Sequence, residues 1–330
     1  MSVAVDWLPV GRLDELQTFI DEHWRRGHVL ARDDELLRWQ HARPDNPERL
    51  SVLVAEEAGR LVGMLGLIEF DACIRSRRAR GAWMTTWLVE PDARGRGIGR
   101  ALVEQTLATE YDFVGALAAN EATRHVLHGL GFAEVGMYRW VRVLDVDGLR
   151  ELLRGRDVPD EAWAAWAESS PATETAPPAQ GFVGACRDGA FLERRYGRHP
   201  RFDYRVVRTE QGVAARRIET VRGTDLRVMR IVDLLAGPEL AEQLATEAER
   251  EAVVFVDFAC TSPRFGLPLE AAGFAREDRL PSELPSRFQP LDFSERPIVS
   301  CFWACPGLGV DFFGGDLYVT RADSDLDRPN

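Results

Sequence analysis

The stretch best equipped for chemistry is W-L-V-E-P-D-A-R-G-R-G-I-G-R-A-L-V-E-Q-T-L at residues 87–107, where three glycines and two arginines separate a strand-like from a helix-like pattern. Pro91 ends the strand by removing a backbone donor. Ile98, Leu102, Val103 and Leu107 then repeat on one face at helical spacing. A strand, a glycine loop and a helix start together make an anion cradle. The first amides of a helix lack internal partners and carry the positive end of its dipole. Gly95, Gly97 and Gly99 let backbone approach an anion without a Cβ in the way, and Arg94 and Arg96 supply planar forks suited to phosphate oxygens. An ordinary glycine-rich turn explains the glycines alone equally well.

The kind of phosphate follows by elimination and then by resemblance. A nucleotide P-loop needs a lysine, and the chain has none; Arg100 stands where the dinucleotide pattern requires its last glycine. What fits is R-x-x-G-x-G, met by Arg94, Gly97 and Gly99 directly after Leu88-Val89-Glu90-Pro91. That combination resembles the acyl-CoA loop of the GNAT N-acyltransferase superfamily. The resemblance implies that the amides of the 94–99 loop, Ile98 among them, hold the CoA pyrophosphate, while Leu88 and Val89 pair with the pantetheine arm. A second landmark of the family is matched by Asn120, with Gly131-Phe132 following at the expected spacing. It implies that the Asn120 amide turns toward pantetheine; a plain helix N-cap is compatible with the same residue.

The usual acid and base of that family are missing. Leu127 stands where many members carry a tyrosine, and Thr85 and Trp83 fill the strand positions that often hold a titrating residue. A neutral amine still attacks a thioester once it is positioned, since proximity supplies roughly 7–11 kcal/mol of the barrier. The Val89 amide offers oxyanion stabilisation. His23, His28, Glu69 and Asp71 remain as candidates to take up the amine proton, although packed or solvated side chains account for each of them as well.

The elements that must position these residues read as an α/β chain. Residues 1–145 follow the order β-α-α-β-β-β-α-β-α-β, ending in one strand over residues 132–143. This is the GNAT order, a mixed sheet flanked by helices. Residues 146–180 form a helical linker whose end, residues 169–180, has linker composition. Residues 181–330 repeat the first part in weakened form: Gly273-Phe274 answers Gly131-Phe132, and Asp233 answers Val89 at nearly the same offset. The repeat's loop, L-A-G-P-E-L at residues 235–240, has lost both arginines and carries Glu239 at the helix start. The expectation is two tandem GNAT-like domains, the second degenerate and without a CoA site.

Composition bounds the partners. A net charge of −12 over 330 residues argues against nucleic acid and anionic membrane. The N-terminus lacks a leader pattern and no apolar run is long enough to span a membrane, so a cytoplasmic protein is expected. Cys73, Cys186, Cys260, Cys301 and Cys305 are scattered, which predicts reduced thiols and no metal. The aspartates at 323, 325 and 327 lack the glycine and glutamate of a calcium loop. The tail and residues 23–41 also resemble double-GNAT acyltransferases of surface-polysaccharide pathways, implying a nucleotide-linked amino sugar as acceptor. Arg194, Arg195 and Arg198 are then candidates to meet its diphosphate. A mycothiol-synthase-like enzyme acting on an amino-thiol sugar conjugate and a non-catalytic acyl-CoA-binding module remain as alternatives.

Overall fold

Short β-branched and aromatic runs become strands, and apolar stripes at helical spacing become helices. The computed structural model describes residues 3–43, 45–75, 77–109, 111–167, 181–280, 284–288, 291–292 and 298–327; the linker expected at 169–180 lies outside them. The chain begins β1 (Ala4–Pro9), α1 (Leu13–His23), α2 (Val29–Arg32), α3 (Asp34–His41), β2 (Arg49–Glu57), β3 (Arg60–Ile74) and β4 (Arg77–Val89). It continues α4 (Ile98–Leu107), β5 (Phe113–Ala116), α5 (Glu121–His128), β6 (Ala133–Gly136), β7 (Tyr138–Val143), α6 (Val146–Leu152) and α7 (Asp160–Ala167). The later part runs β8 (Val183–Ala185), α8 (Gly189–Leu192), β9 (Arg205–Thr209), β10 (Gly212–Thr220), β11 (Arg227–Ala236), α9 (Pro238–Arg250) and β12 (Phe255–Cys260). It closes with α10 (Leu267–Ala271), β13 (Ala275–Arg276), β14 (Arg287–Phe288), β15 (Leu291–Asp292) and β16 (Val299–Ala304).

Two large sheets form, each with a single parallel strand pair, and β14 and β15 pair separately as a third, two-stranded one. The first has the order β1-β2-β3-β4-β5-β16-β6, with β4 and β5 parallel and β8 added at the far end of β3. The second has the order β13-β7-β12-β11-β10-β9, with β11 and β12 parallel. The strand expected over residues 132–143 is therefore two strands in different sheets. After β6 the chain crosses at Met137, and β7 pairs antiparallel with β12. In return β16 lies between β5 and β6 in the first sheet. Each core thus takes a large aromatic from the other half. Phe302 of β16 is fully buried beside Trp83 and Phe113, and Trp140 of β7 is fully buried against Phe258. Gly266 makes room for Trp140, since a Cβ there would lie 2.0 Å from its indole ring.

The cysteine expectation is corrected. Cys73 and Cys186 form a disulfide. Across the β3–β8 ladder Cys73 pairs with Gly184, and the Cys186 amide bonds to the Asp71 carbonyl at 2.8 Å, so register brings the two thiols together. Their 113-residue separation in the chain hides this. Cys260, Cys301 and Cys305 stay as thiols.

The exchanged strand β7 is tied into the second sheet by a buried ion cluster. Asp257 of β12 accepts from Arg139 of β7 at 2.9 Å and from Arg230 of β11 at 3.1 Å, and Arg139 also reaches Glu277 at 3.0 Å. Burial by itself raises the Asp257 carboxyl, but Arg230 and Arg139 outweigh it and hold the group well below the usual carboxylate range. A carboxylate with a depressed folded value contributes stability that is present above about pH 4 and is lost as pH falls through the folded value. Asp257→Asn strands buried arginines, so unfolding by denaturant should show a loss of about 3–5 kcal/mol at neutral pH. The difference between variant and parent should shrink toward acid.

Candidate active site

The glycine loop becomes an open helix start. Gly97 is the N-cap of α4 in a left-handed conformation, φ +81°, with no side chain capping the first turn. Gly95 adopts φ +76°. Gly99 serves packing, because a Cβ there would stand 3.2 Å from the Trp87 indole. Behind this loop β4 does something unusual for a central strand. Its parallel pairing with β5 ends at Met84–Ala116, while residues 87–89 stay paired to β3. At the point of departure Thr85 and Thr86 together face Gly66 alone, a bulge in β4. β5 itself ends at Ala116, so the β4 edge that faced it has no strand beside it at residues 87–89 among the described residues, and this unpaired edge is the slot that leads to the uncapped α4 amides.

The side chains expected to line the slot are only partly turned to it. Arg94 lies back along the strand, its Nε 3.0 Å from the Val89 carbonyl. Arg96 pairs with Glu57 at 3.0 and 2.6 Å, so its fork points away from the loop amides. This pair is exposed, of the kind a phosphate readily outcompetes. Leu88 is buried toward α1 and α3 with its backbone on β3, and Ile98 is buried against the sheet. Asn120 caps α5, its Oδ1 accepting from the Thr123 amide at 2.9 Å, so its side chain is engaged in the helix.

The four proton-acceptor candidates separate into two places. His28 is corrected to a structural role: it is buried, caps α2 by accepting the Leu30 amide at 3.2 Å, and stacks on Trp24. His23 packs on Phe19 at the end of α1 and acts electrostatically on Glu90, beside the glycine loop and not at the bulge. Glu69 and Asp71 instead enter a cleft of about 500 Å³ that also takes in Asp45, Arg80, Tyr111 and Arg194. Glu69 accepts the Tyr111 hydroxyl at 2.5 Å and lies 3.5 Å from Arg43. Burial first, and the Glu69 charge second, push the Tyr111 phenol well above its ordinary value. Asp71 is exposed and pairs with Arg78 at 3.5 Å. Arg194 comes from the second half and donates to the Glu69 carbonyl at 2.6 Å; burial and Arg195 lower its pKa. Arg195 is spent on the Ala322 and Ser324 carbonyls, and Arg198 pairs with Glu193.

Of Leu127, Trp83 and Thr85, the positions where an acid or base is expected, Thr85 is half-buried. Leu127 and Trp83 are fully buried. His41, which the sequence pattern did not single out, is also fully buried and approaches the bulge. A Cβ on Gly66 would meet His41 Cε1 and Thr85 Oγ1, each at 2.7 Å. Tyr111, Arg43 and Arg80 were equally unmarked, because only tertiary packing brings them to Glu69 and Asp71.

The second sheet repeats the geometry and closes it. Parallel pairing of β11 and β12 ends at Ile231–Phe258, a register shift leaves Val232 unmatched, and residues 232–236 run on to α9. Register therefore matches Val89 with Ala236 rather than with Asp233. Gly131 and Gly273 do correspond, at φ +85° and +82° after α5 and α10. Here the C-terminal segment occupies the slot. Tyr318 donates to Asp233 at 2.5 Å and accepts the Leu234 amide at 2.8 Å, while the Val319 carbonyl takes the Thr261 amide at 3.0 Å. Together with the arginine-free loop at residues 235–240, this leaves the second half without an open cradle.

Residues 13–132 match the model of the acetyltransferase (GNAT) family. No curated protein matches the sequence. The fold is similar to that of a GCN5-related N-acetyltransferase from Anabaena variabilis, with a TM-score of 0.55 at 13% identity over 91% of this chain and 72% of that one. A GCN5-related N-acetyltransferase from Kribbella flavida gives 0.51 at 13% identity, over 92% and 71%. At such identity the likeness is one of fold, and it extends across both sheets. Calorimetry with CoA should give one site per chain, lost in a folded Gly97→Asp protein because a carboxylate would face the pyrophosphate. Two sites, or unchanged affinity in the variant, would refute the assignment.

Proposed function

We propose that this chain, an acyltransferase of the GNAT fold, moves the acyl group of an acyl-CoA such as acetyl-CoA onto the primary amine of a small molecule, a nucleotide-linked amino sugar. The observation that carries the reading is the slot where β4 leaves β5, running into the open start of α4 inside the matched region. In this reading the Ile98 and Gly99 amides receive the pyrophosphate, and Arg94 and Arg96 swing onto it from the Val89 carbonyl and Glu57. The edge at Leu88 and Val89 receives pantetheine, with the Asn120 end of α5 alongside.

The acceptor occupies the cleft of Glu69, Asp71 and Arg194. Its amine nitrogen attacks the thioester carbon, forming C–N as C–S breaks. The Val89 amide steadies the oxyanion, and one proton passes from nitrogen to the departing thiolate. Glu69, held by Tyr111 and Arg43, takes up the ammonium proton as the acceptor enters the cleft and not at the reacting carbonyl, because the ladder sets it opposite Ala82, about 20 Å along the sheet from Val89. Asp71 contributes charge at the rim. Arg194 supports an acceptor with a remote anionic group, whose binding helps to position the amine. A mycothiol-synthase-like arrangement is disfavoured by the filled second slot. A purely binding module gives no role to the carboxylates of the cleft. The donor is a cytoplasmic metabolite, and a reducing compartment opposes the Cys73–Cys186 bond.

Acetyl transfer to a nucleotide-linked amino sugar should exceed transfer to the free amino sugar at least about a hundredfold in kcat/KM, roughly 2.7 kcal/mol. Arg194→Met should erase most of that preference while sparing CoA affinity. Equal rates on the two acceptors would rule out this acceptor class. Glu69→Gln should lower kcat/KM about 10- to 100-fold.

A further inference from the structure

The two walls of the acceptor cleft are joined by a disulfide. Glu69 and Asp71 reach the cleft from β3, while Cys186, Asp188, Phe191 and Arg194 reach it from the run that follows β8. Arg187, inside that run, is fixed between Asp233 and Asp323, both buried in the second half. The run therefore moves with the second half. Its tie to the first is the Cys73–Cys186 bond, with the three-residue ladder of β8 on residues 72–74 and the Cys186 amide on the Asp71 carbonyl. Farther along, Arg194 donates to the Glu69 carbonyl and Trp39 to the Arg194 carbonyl, and the Arg78–Asp188 pair is exposed, of the kind that adds little. Cys186 lines the cleft and Cys73 is half-buried, so a thiol can approach the bond from the Cys73 side. In a reducing compartment such a bond is open to exchange.

We propose that the Cys73–Cys186 bond is a redox switch that sets the grip of the cleft on the acceptor. The inference rests on the acyl-transfer reading above and adds to it the regulation of the same site. With the bond closed, Glu69 and Arg194 face each other at fixed spacing and the acceptor is held. With the bond open, the wall is left to a short ladder and a few hydrogen bonds, and the acceptor binds weakly. CoA does not feel the change, because Cys73 pairs with Arg78 at the end of β4 opposite to Val89. The reductant is a dithiol. Its first thiolate attacks Sγ of Cys73 as the S–S bond breaks, and Cys186 leaves as a thiolate and takes up a proton. Its second thiolate attacks the mixed disulfide and releases Cys73, which is protonated in turn. Two electrons pass to the protein, and the reductant departs as its own disulfide.

The test compares two states of the parent protein. After treatment with glutathione disulfide, peptide mapping should find Cys73 joined to Cys186; after dithiothreitol, both should take up iodoacetamide. Reduction should lower kcat/KM for the amine at least about fivefold, through KM, with CoA affinity and acyl-CoA KM unchanged, and reoxidation should restore it. Cys73→Ser and Cys186→Ser should each behave as the reduced parent and ignore dithiothreitol. Hydrogen exchange over residues 186–194 should quicken on reduction. Unjoined Cys73 and Cys186 after glutathione disulfide, or kcat/KM within twofold in the two states, would overturn the proposal while acyl transfer stands. If the parent acylates no amine of a panel in either state, the acyl-transfer reading fails. The switch is then judged on exchange, which supports it if residues 186–194 open on reduction and refutes it if they do not. The comparison within the parent needs no substitution, so a poorly folding serine variant does not decide it.

Discussion

The structure turns on a single hydrogen-bonding problem: a strand inside a sheet that stops pairing on one side. β4 runs past its last bond to β5 at Met84–Ala116 while its other edge stays fixed to β3. Interior backbone groups need partners, so a parted edge must be given something to bond. The first sheet aims a glycine loop and a helix start at the gap. The second sheet parts in the same way after Ile231–Phe258 and answers with its own chain, pressing Tyr318 and Val319 into the opening. One geometry therefore has two outcomes, and the difference lies in a short piece of C-terminal polypeptide.

That piece is held by arginine, the only basic side chain besides histidine in the sequence. Arg187 bonds Asp233 and Asp323 at 2.8 and 2.5 Å, and Arg217 bonds Asp327 at 2.7 Å. The planar fork suits such buried, two-sided contacts better than an ammonium does. Not every site is comfortable. Arg321 lies among Arg230, Asp257 and Arg139, and burial together with Arg230 lowers its pKa to about 9. Buried ion networks of this kind are weak evidence for stability, but they fix which strand sits beside which.

Much of this was legible from sequence. Helix and strand positions follow from periodicity, the 94–99 loop from its spacing, and the loss of the second cradle from the missing arginines at residues 235–240. Glu69, Asp71 and Arg194 were marked by type and do share a cleft. The failures have physical causes. His28 reads as a base by composition, but its ring is spent on the Leu30 amide. Asp323 and Asp327, which carry no calcium-loop pattern, are buried counter-ions of Arg187 and Arg217, a pairing that distant segments create. The Cys73–Cys186 bond and the crossing at Met137 depend on register between distant segments, about which local pattern carries no information. The bulge of Thr85 and Thr86 likewise exists only once β3 is in place.

The exchange of β7 and β16 also bears on how the protein is made. A ribosome delivers β5 and β6 long before β16, the strand that must lie between them. Until then the first sheet has a missing member, and β7 has emerged with no β12 to join. Neither sheet can close from its own stretch of nascent chain, so the usual order of synthesis, in which an early domain folds while a later one is translated, is denied to this molecule. Long loops must be drawn shut before their contacts reward the cost, which slows the final step and exposes Trp140 and the edges of β5 and β6 in the interval. The two halves are therefore one cooperative unit, completed only when the last strand leaves the exit tunnel.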